Sequence, residues 1–218
     1  PGVLASAVGM DKHIQQMVLA AEGLGVPKSE LVSREEWVSN CHGVMQRLEE
    51  KFGLPLVAKP RREGSSIGVS IVRDPQKLAE GITGAFELDN SVIIEEYLEG
   101  IEFSSIVLEQ DGGFKPLGLT EIQPQSEFYT YDDKYMPGRC RKFTPPRSIK
   151  PEDVEKIEKD VVRAFRALGF RGYGRLDGFV TSDGRVLITD PNSSSGMAPS
   201  SFFFEQAAES GLLPSMII

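Results

Sequence analysis

Between Gly172 and Asp190 two apolar runs, Gly172–Thr181 and Arg185–Asp190, are separated only by Ser182-Asp183-Gly184. A turn that short reverses the chain; a parallel crossover takes a dozen residues or more. The pair is therefore an antiparallel hairpin. Upstream, Leu54–Lys59 reads as a buried strand, Pro60–Ser66 as a polar glycine-containing loop and Gly68–Arg73 as the returning strand. A further strand is expected at Ser91–Glu96. Alternation through Phe103, Ile106, Leu108, Phe114, Leu117 and Leu119 implies more antiparallel strands.

Helices are interleaved with these strands. Val8, Met10, Ile14, Met17, Val18 and Ala21 fall close to helical spacing over Ala5–Leu24, and Gly23, Gly25 and Pro27 end the pattern. Ser33, with Glu36 three positions on, marks the start of a helix running to about Phe52. Pro75–Phe86 reads as a helix, as does Pro151–Leu168, which carries Pro near its first position, acids in its first turn and Gly169 after its end. A last helix starts at Phe202. This order favours an α+β fold over a doubly wound parallel sheet. A break near residues 96 to 102 divides it into two lobes.

Composition narrows the function. The net charge of −8 comes without a long Lys/Arg run, so nothing resembles a nucleic-acid patch. No apolar stretch approaches the ~18 residues of a membrane span, and no secretory leader is visible, which points to the cytoplasm. Cys41 and Cys140 have no Cys or His partners at metal-ligand spacing, so neither a disulfide framework nor a zinc site is expected. His13 and His42 lack an acid–base constellation and read as structural or surface residues.

Four segments carry chemical potential. Lys59 leaves a strand into Pro60-Arg61-Arg62-Glu63-Gly64-Ser65-Ser66, which offers a cation and backbone N–H donors to phosphate oxygens without the order of a Walker A loop. Asp177, Asp190 and Asn192, on two strands of a tight hairpin with Arg175 beside them, are hard oxygen donors suited to Mg2+. Glu95-Glu96-Tyr97-Leu98, with Glu102 following, ends a strand whose backbone groups can face an adenine edge, with a later acid able to accept from ribose hydroxyls. Phe128-Tyr129-Thr130-Tyr131 and Lys134-Tyr135 lie in a long aromatic loop from Pro124 to Pro146, which reads as a lid. Taken singly, each also has a structural reading: a solvated hairpin, ordinary strand-end acids, an exposed acidic strand end, or a self-packed loop.

In this order the segments resemble the D-alanine–D-alanine ligases of the ATP-grasp superfamily. The resemblance runs from Gly2-Val3-Leu4-Ala5-Ser6-Ala7 and Met10-Asp11-Lys12, through Lys59-Pro60 and Arg62–Ser66, to Gly172-Tyr173-Gly174-Arg175-Leu176-Asp177 and Asn192 with Gly196-Met197. It implies the ATP-grasp fold, two α+β lobes clasping ATP between antiparallel sheets. A connecting helical segment would span 1–24, a small lobe 25–99 and a large catalytic lobe 100–218. It implies ATP and Mg2+ or Mn2+ as cofactors and amino acids, D-alanine first, as substrates.

By the same resemblance, Lys12 and Lys59 contact the ATP phosphates, and Glu63, Gly64, Ser65 and Ser66 cover them. Glu95, Glu96, Tyr97 and Leu98 form the adenine hinge, and Glu102 binds ribose. Lys134 and Tyr135 belong to the lid, and with Ser66 and Arg175 make up the catalytic set. Arg175 stabilises the acyl-phosphate and tetrahedral species. Asp177, Asp190 and Asn192 are the metal ligands. Gly196, Ser201 and Arg175 line the substrate pocket.

The chain departs from the family in three places. Asp190 stands where the family has Glu. Ser193-Ser194-Ser195-Gly196-Met197-Ala198-Pro199 replaces a Thr-Leu-Pro-Gly-Met-Thr loop beside the second substrate. Nothing corresponds to the family's N-terminal domain, through which a homodimer would form, and the chain stops within its last expected helix, so the active site is expected to be incomplete here. These departures keep two alternatives open: a carboxylate–amine ligase for other amino acids, such as a D-Ala–D-Ser ligase, and an ATP-binding module without catalysis.

Overall fold

The structure is a computed structural model that describes residues 2–124, 140–198 and 201–213. The chain forms two compact units: residues 10–13 with 27–98, and residues 1–9, 14–26 and 99–218. Most of the leading segment thus groups with the C-terminal unit, and residues 10–13 with the smaller one.

The smaller unit is built on a four-stranded antiparallel sheet in the order β1 (Ser29–Ser33), β4 (Ser91–Glu96), β2 (Leu56–Pro60), β3 (Ser70–Val72). Helices α3 (Arg34–Phe52) and α4 (Leu78–Phe86) cover one face, where Leu56, Ala58, Val92 and Ile94 meet Trp37, Leu48, Ile82 and Phe86. Ser33 caps α3 as expected, its hydroxyl accepting from Glu36 N at 3.1 Å, a bond worth about 1 kcal/mol. The helix is not continuous. Asn40 leaves helical geometry and its side chain accepts from Gly43 N, so it starts a second helical stretch within the first. Strand β1 was not anticipated, because five residues give too short an alternation to separate from a turn.

The larger unit carries a six-stranded antiparallel sheet in the order β10 (Val186–Asn192), β9 (Tyr173–Thr181), β5 (Gly100–Gln110), β7 (Thr120–Pro124), β8 (Cys140–Phe143), with β6 (Gly113–Pro116) on β5. One face packs on α5 (Pro151–Ala167) through Phe103, Val107, Leu176 and Val180 against Ile157, Val161 and Phe165. Part of the other face is covered by α6 (Phe202–Glu209), whose Phe202, Phe203 and Ala207 meet Ile106, Leu117 and Ile122. Residues 140–143, expected within a loop from 124 to 146, instead extend the sheet through β7. Cys140-Arg141-Lys142-Phe143 alternates too briefly to declare a strand by itself.

The helix expected over Ala5–Leu24 is two: α1 (Val3–Gly9) and α2 (Lys12–Ala21). The break falls at Met10-Asp11, where the Asp11 carboxylate takes both Arg61 Nε at 2.8 Å and an Arg61 terminal nitrogen at 2.7 Å. Among the described residues no helix is long and apolar enough to cross a membrane.

Candidate functional site

In the smaller unit the side chains of β2 alternate. Leu56 and Ala58 join the helical core, while Lys59 lies on the opposite face. Val57 stands opposite Glu95 and Lys59 opposite Ile93, which makes Lys59 and Glu95 diagonal neighbours on that face. Their Nζ–Oε2 distance is 2.7 Å, with side chains 11% and 6% exposed. Charges this buried require a partner, and a lysine so placed can exchange a carboxylate for the oxygen of an anionic ligand.

After β2 the chain turns through Gly64–Ile67. Ile67 N bonds to Gly64 O at 3.0 Å, and the two central residues, Ser65 (φ 52°) and Ser66 (φ 62°), are both left-handed. This is the geometry of a type I′ turn, which favours Asn and Gly and costs a non-glycine residue about 1–2 kcal/mol. Strain of that kind collects where a loop must hold backbone groups for a ligand. The loop is anchored at its base. Lys12 N bonds to Arg61 O at 3.2 Å, Lys12 Nζ donates to Glu63 O, and Arg62 N donates to Asp89 at 3.0 Å. Lys12 and the segment Glu63-Gly64-Ser65-Ser66, distant in sequence, are thus brought together.

The expected hinge residues do not share one environment. Glu95 faces Lys59. Glu96 accepts from Lys28 N at 2.9 Å and its own N–H donates to Lys28 O. Tyr97 lies under Arg73, whose guanidinium carbon is 5.0 Å from the ring centroid. Leu98 is half-buried at the end of the unit.

In the larger unit, Gly174, Leu176, Gly178 and Val180 of β9 turn to the core, and Tyr173, Arg175, Asp177 and Phe179 to the other face. A side chain at Gly178 would collide with the Phe103 ring and the Leu187 carbonyl, so only glycine lets the sheet close there. Ser104 and Asp190 both stand opposite Asp177, Ile106 and Asn192 opposite Arg175, and Glu102 opposite Phe179. Glu102, Ser104, Arg175, Asp177, Asp190 and Asn192 therefore share a face. The pairing depends on an extra residue in β10 between Ile188 and Asp190. Continued without it, the register of Val186–Ile188 would set Thr189 opposite Asp177 and turn Asp190 to the core side.

The Asp177 carboxylate is held at both oxygens: Ser104 Oγ donates to Oδ1 at 2.7 Å, and Arg175 Nε and a terminal nitrogen lie 3.1 and 3.0 Å from Oδ2. Asn192 Nδ2 donates to Asp190 O at 2.8 Å. That bond commits the amide nitrogen to the chain and distinguishes it from the oxygen end. Two carboxylates and an amide oxygen on one face fit Mg2+ or Mn2+ by donor type. Among the described residues no three His, Cys, Asp or Glu cluster to hold a metal on their own. A cation at this face would therefore rest on these three residues together with oxygens of a bound ligand.

The loop beyond Asn192 supplies buried hydroxyls. Ser195 Oγ and Ser201 Oγ are inaccessible and have no hydrogen-bond partner among the described residues, and Ser201, at the N-cap of α6, makes no cap bond with its side chain. Gly196 is exposed. Lys134, Tyr135 and the aromatic run Phe128–Tyr131 lie outside the described residues. Sequence reading passed over Ser104, although its place two residues after Glu102 on a strand puts it on the same face. It also passed over Gln15, whose Nε2 bonds to Gly9 O at 2.8 Å and Pro191 O at 2.9 Å and ties the α1–α2 corner to the end of β10.

A family profile described as D-ala D-ala ligase C-terminus matches residues 18–218. The chain belongs to the D-alanine–D-alanine ligase family. The D-alanine–D-alanine ligase of Bacillus cytotoxicus is 37% identical over 202 residues, 93% of this chain and 55% of that protein. The corresponding ligase of Acetivibrio thermocellus is 38% identical over 216 residues, covering 97% of this chain and 56% of its own length. The chain thus spans little more than half the length of these curated relatives. Among solved structures, the VanG D-Ala:D-Ser ligase from Enterococcus faecalis aligns over 99% of this chain and 63% of its own, with a TM-score of 0.81 and 30% identity. The D-alanine–D-alanine ligase from Bacillus anthracis aligns with a TM-score of 0.81 and 28% identity, over 99% of this chain and 67% of its own. The architecture is α+β, as the order of strands and helices implied, and it is that of the ATP-grasp ligases of this family, as the resemblance implied.

Proposed function

We propose that this chain is the ATP-binding and catalytic part of an enzyme that joins two D-alanines at the expense of ATP. The observation that carries the reading is the common face of Arg175, Asp177, Asp190 and Asn192, set by the β10 bulge. In the reaction, a carboxylate oxygen of the first D-alanine attacks the γ-phosphorus of ATP, releasing ADP and leaving an acyl phosphate. The amine of the second D-alanine then attacks the acyl carbon, phosphate leaves, and the nitrogen gives up a proton.

Such a reaction asks a protein for positioning and charge rather than covalent chemistry. Lys12, Lys59 and the Glu63–Ser66 loop are assigned to the phosphates, Glu95–Leu98 to the adenine and Glu102 to the ribose. Arg175 is assigned to the oxyanion that forms as the acyl carbon becomes tetrahedral. Gly196 and Ser201 border the second amino acid, and Lys134 and Tyr135 are lid residues. Mg2+ or Mn2+ held by Asp177, Asp190 and Asn192 would neutralise phosphate charge. Residues 25–99 and 100–218 serve as the small and large lobes. The substrates are free amino acids, and the enzyme works in the cytoplasm in the synthesis of a peptidoglycan precursor.

The test is ADP release from Mg·ATP in the presence of a panel of amino acids, with products identified by mass spectrometry. D-alanine-dependent ADP formation accompanied by D-alanyl-D-alanine is the expected result. ADP formation that ignores D-alanine but follows another amino acid would replace the substrate assignment, and nucleotide binding without turnover on any of them would favour the non-catalytic module.

A further inference from the structure

We infer that Ser104 is a positioning residue for the carboxylate of Asp177, and that Gln206 holds Ser104 to that task. The inference rests on the assignment of Asp177 as a metal ligand. An aspartate carboxyl rotates readily about its last torsion, so a ligand oxygen is well placed only if something fixes the plane. Here Ser104 Oγ grips one oxygen at 2.7 Å while Arg175 grips the other. The two grips come from different strands, β5 and β9, and together they stop the carboxylate from swinging.

Ser104 is fully buried, and its backbone is set in an unusual way. Strand β7 accompanies β5 only as far as the Ser104–Thr120 pair, and β6 begins at Val107–Pro116. In the gap the side-chain amide of Gln206, also fully buried, takes the place of a strand residue. Its Nε2 donates to Ser104 O at 2.9 Å and its Oε1 accepts from Ile106 N at 2.8 Å, the donor and acceptor pattern of a neighbouring peptide. The same Nε2 reaches Thr120 Oγ1 at 2.9 Å. Helix α6 therefore determines where the Ser104 hydroxyl sits. That helix opens at Ser201, the residue assigned to the second substrate, so one rigid element serves both ends of the site. Nothing in the donor chemistry of Asp177 requires a serine at 104; the geometry supplies the reason.

The experiment is a Mn2+ titration in the presence of ADP, read as the loss of free Mn2+ by electron paramagnetic resonance, on the parent protein, Ser104→Ala, Ser104→Thr and Gln206→Leu. Melting temperatures are recorded alongside. Loss of an outer partner weakens metal affinity by about 10- to 100-fold, and that is the expected effect of Ser104→Ala. Ser104→Thr keeps the hydroxyl and returns affinity to the parent level, and Gln206→Leu weakens Mn2+ binding while Ser104 is still present. Mn2+ affinity in Ser104→Ala equal to that of the parent, with only the melting temperature lowered, would overturn the positioning role and leave the metal site standing. A parent protein that binds no Mn2+ with ADP would overturn the metal assignment itself.

Discussion

Asp190 stands opposite Asp177 because β10 carries one residue more than β9 between Ile188 and Asp190. The bulge turns Asp190 from the core side onto the face that carries Asp177. If the two carboxylates share a cation, Asp190→Asn should raise the Mg2+ concentration needed for half-maximal ADP release at least about tenfold, by analogy with the loss of a ligating or orienting group. Asp190→Glu, one methylene longer with the same charge, should remain close to the parent. A Mg2+ requirement unchanged in Asp190→Asn would remove Asp190 from the ligand set.

Lys59 and Glu95 form a nearly buried ion pair on the face of the smaller sheet that its helices leave uncovered. Removing one partner strands the other charge. Lys59→Met should therefore lower stability by about 3 kcal/mol in urea denaturation. The double variant Lys59→Met/Glu95→Leu should recover most of that loss, since the uncompensated charge is gone. Nucleotide affinity should fall in both. Recovery of ATP binding together with stability in the double variant would mean that Lys59 serves the fold and not the phosphates.

Glu121 is fully buried on β7. Burial alone would push its carboxyl above the ordinary 4.5, but Ser148 N at 2.7 Å, Arg147 N at 2.8 Å and the Gln123 amide outweigh that and hold it lower. A carboxyl whose folded value lies below its unfolded one contributes stability above the unfolded value and loses it as the pH falls through the folded one. Glu121→Gln should cost about 1–2 kcal/mol at neutral pH, and the difference from the parent should close as the pH drops below 4.5. Parallel stability curves for the two proteins down to low pH would show that the charge of Glu121 contributes nothing.

Much of this architecture could be read from residue order. The hairpin at Ser182-Asp183-Gly184, the cap at Ser33 and the helix from Pro151 are local signals, each fixed by a few neighbouring residues. What escaped was set by distant partners. Strand β8 is a strand because β7 pairs with it, and α1 parts from α2 where Asp11 meets Arg61, fifty residues on. The same division holds at the site. The oxygen-bearing residues on the hairpin were legible as candidates, whereas the bulge that turns Asp190 leaves no mark that a short sequence window can distinguish from an ordinary alternating strand. Glu95 and Glu96 are adjacent in sequence, yet strand geometry sends one to Lys59 and the other to the backbone of Lys28.

Arg175 is bound to Asp177 at 3.0 Å and lies 5.8 Å from the centroid of the Phe202 ring. Its charge therefore faces two described neighbours, the Asp177 carboxylate and the Phe202 ring. On the proposed metal assignment, Arg175→Ala removes one grip on Asp177 and also a cation that would compete with the metal for it. These effects on Mn2+ affinity oppose each other, so metal and nucleotide binding should change little. Turnover has no such compensation on the proposed role of Arg175, because a donor aimed at a developing oxyanion acts mainly in the transition state. Losing one costs about 100- to 1,000-fold in kcat. Arg175→Lys keeps the charge but not the planar pair of donors, and should recover only part of the rate. Nucleotide binding by calorimetry and single-turnover formation of D-alanyl-D-alanine, measured on the same preparations, separate the two contributions. Equal losses in binding and turnover would mean that Arg175 holds the ground state together and has no particular role at the oxyanion.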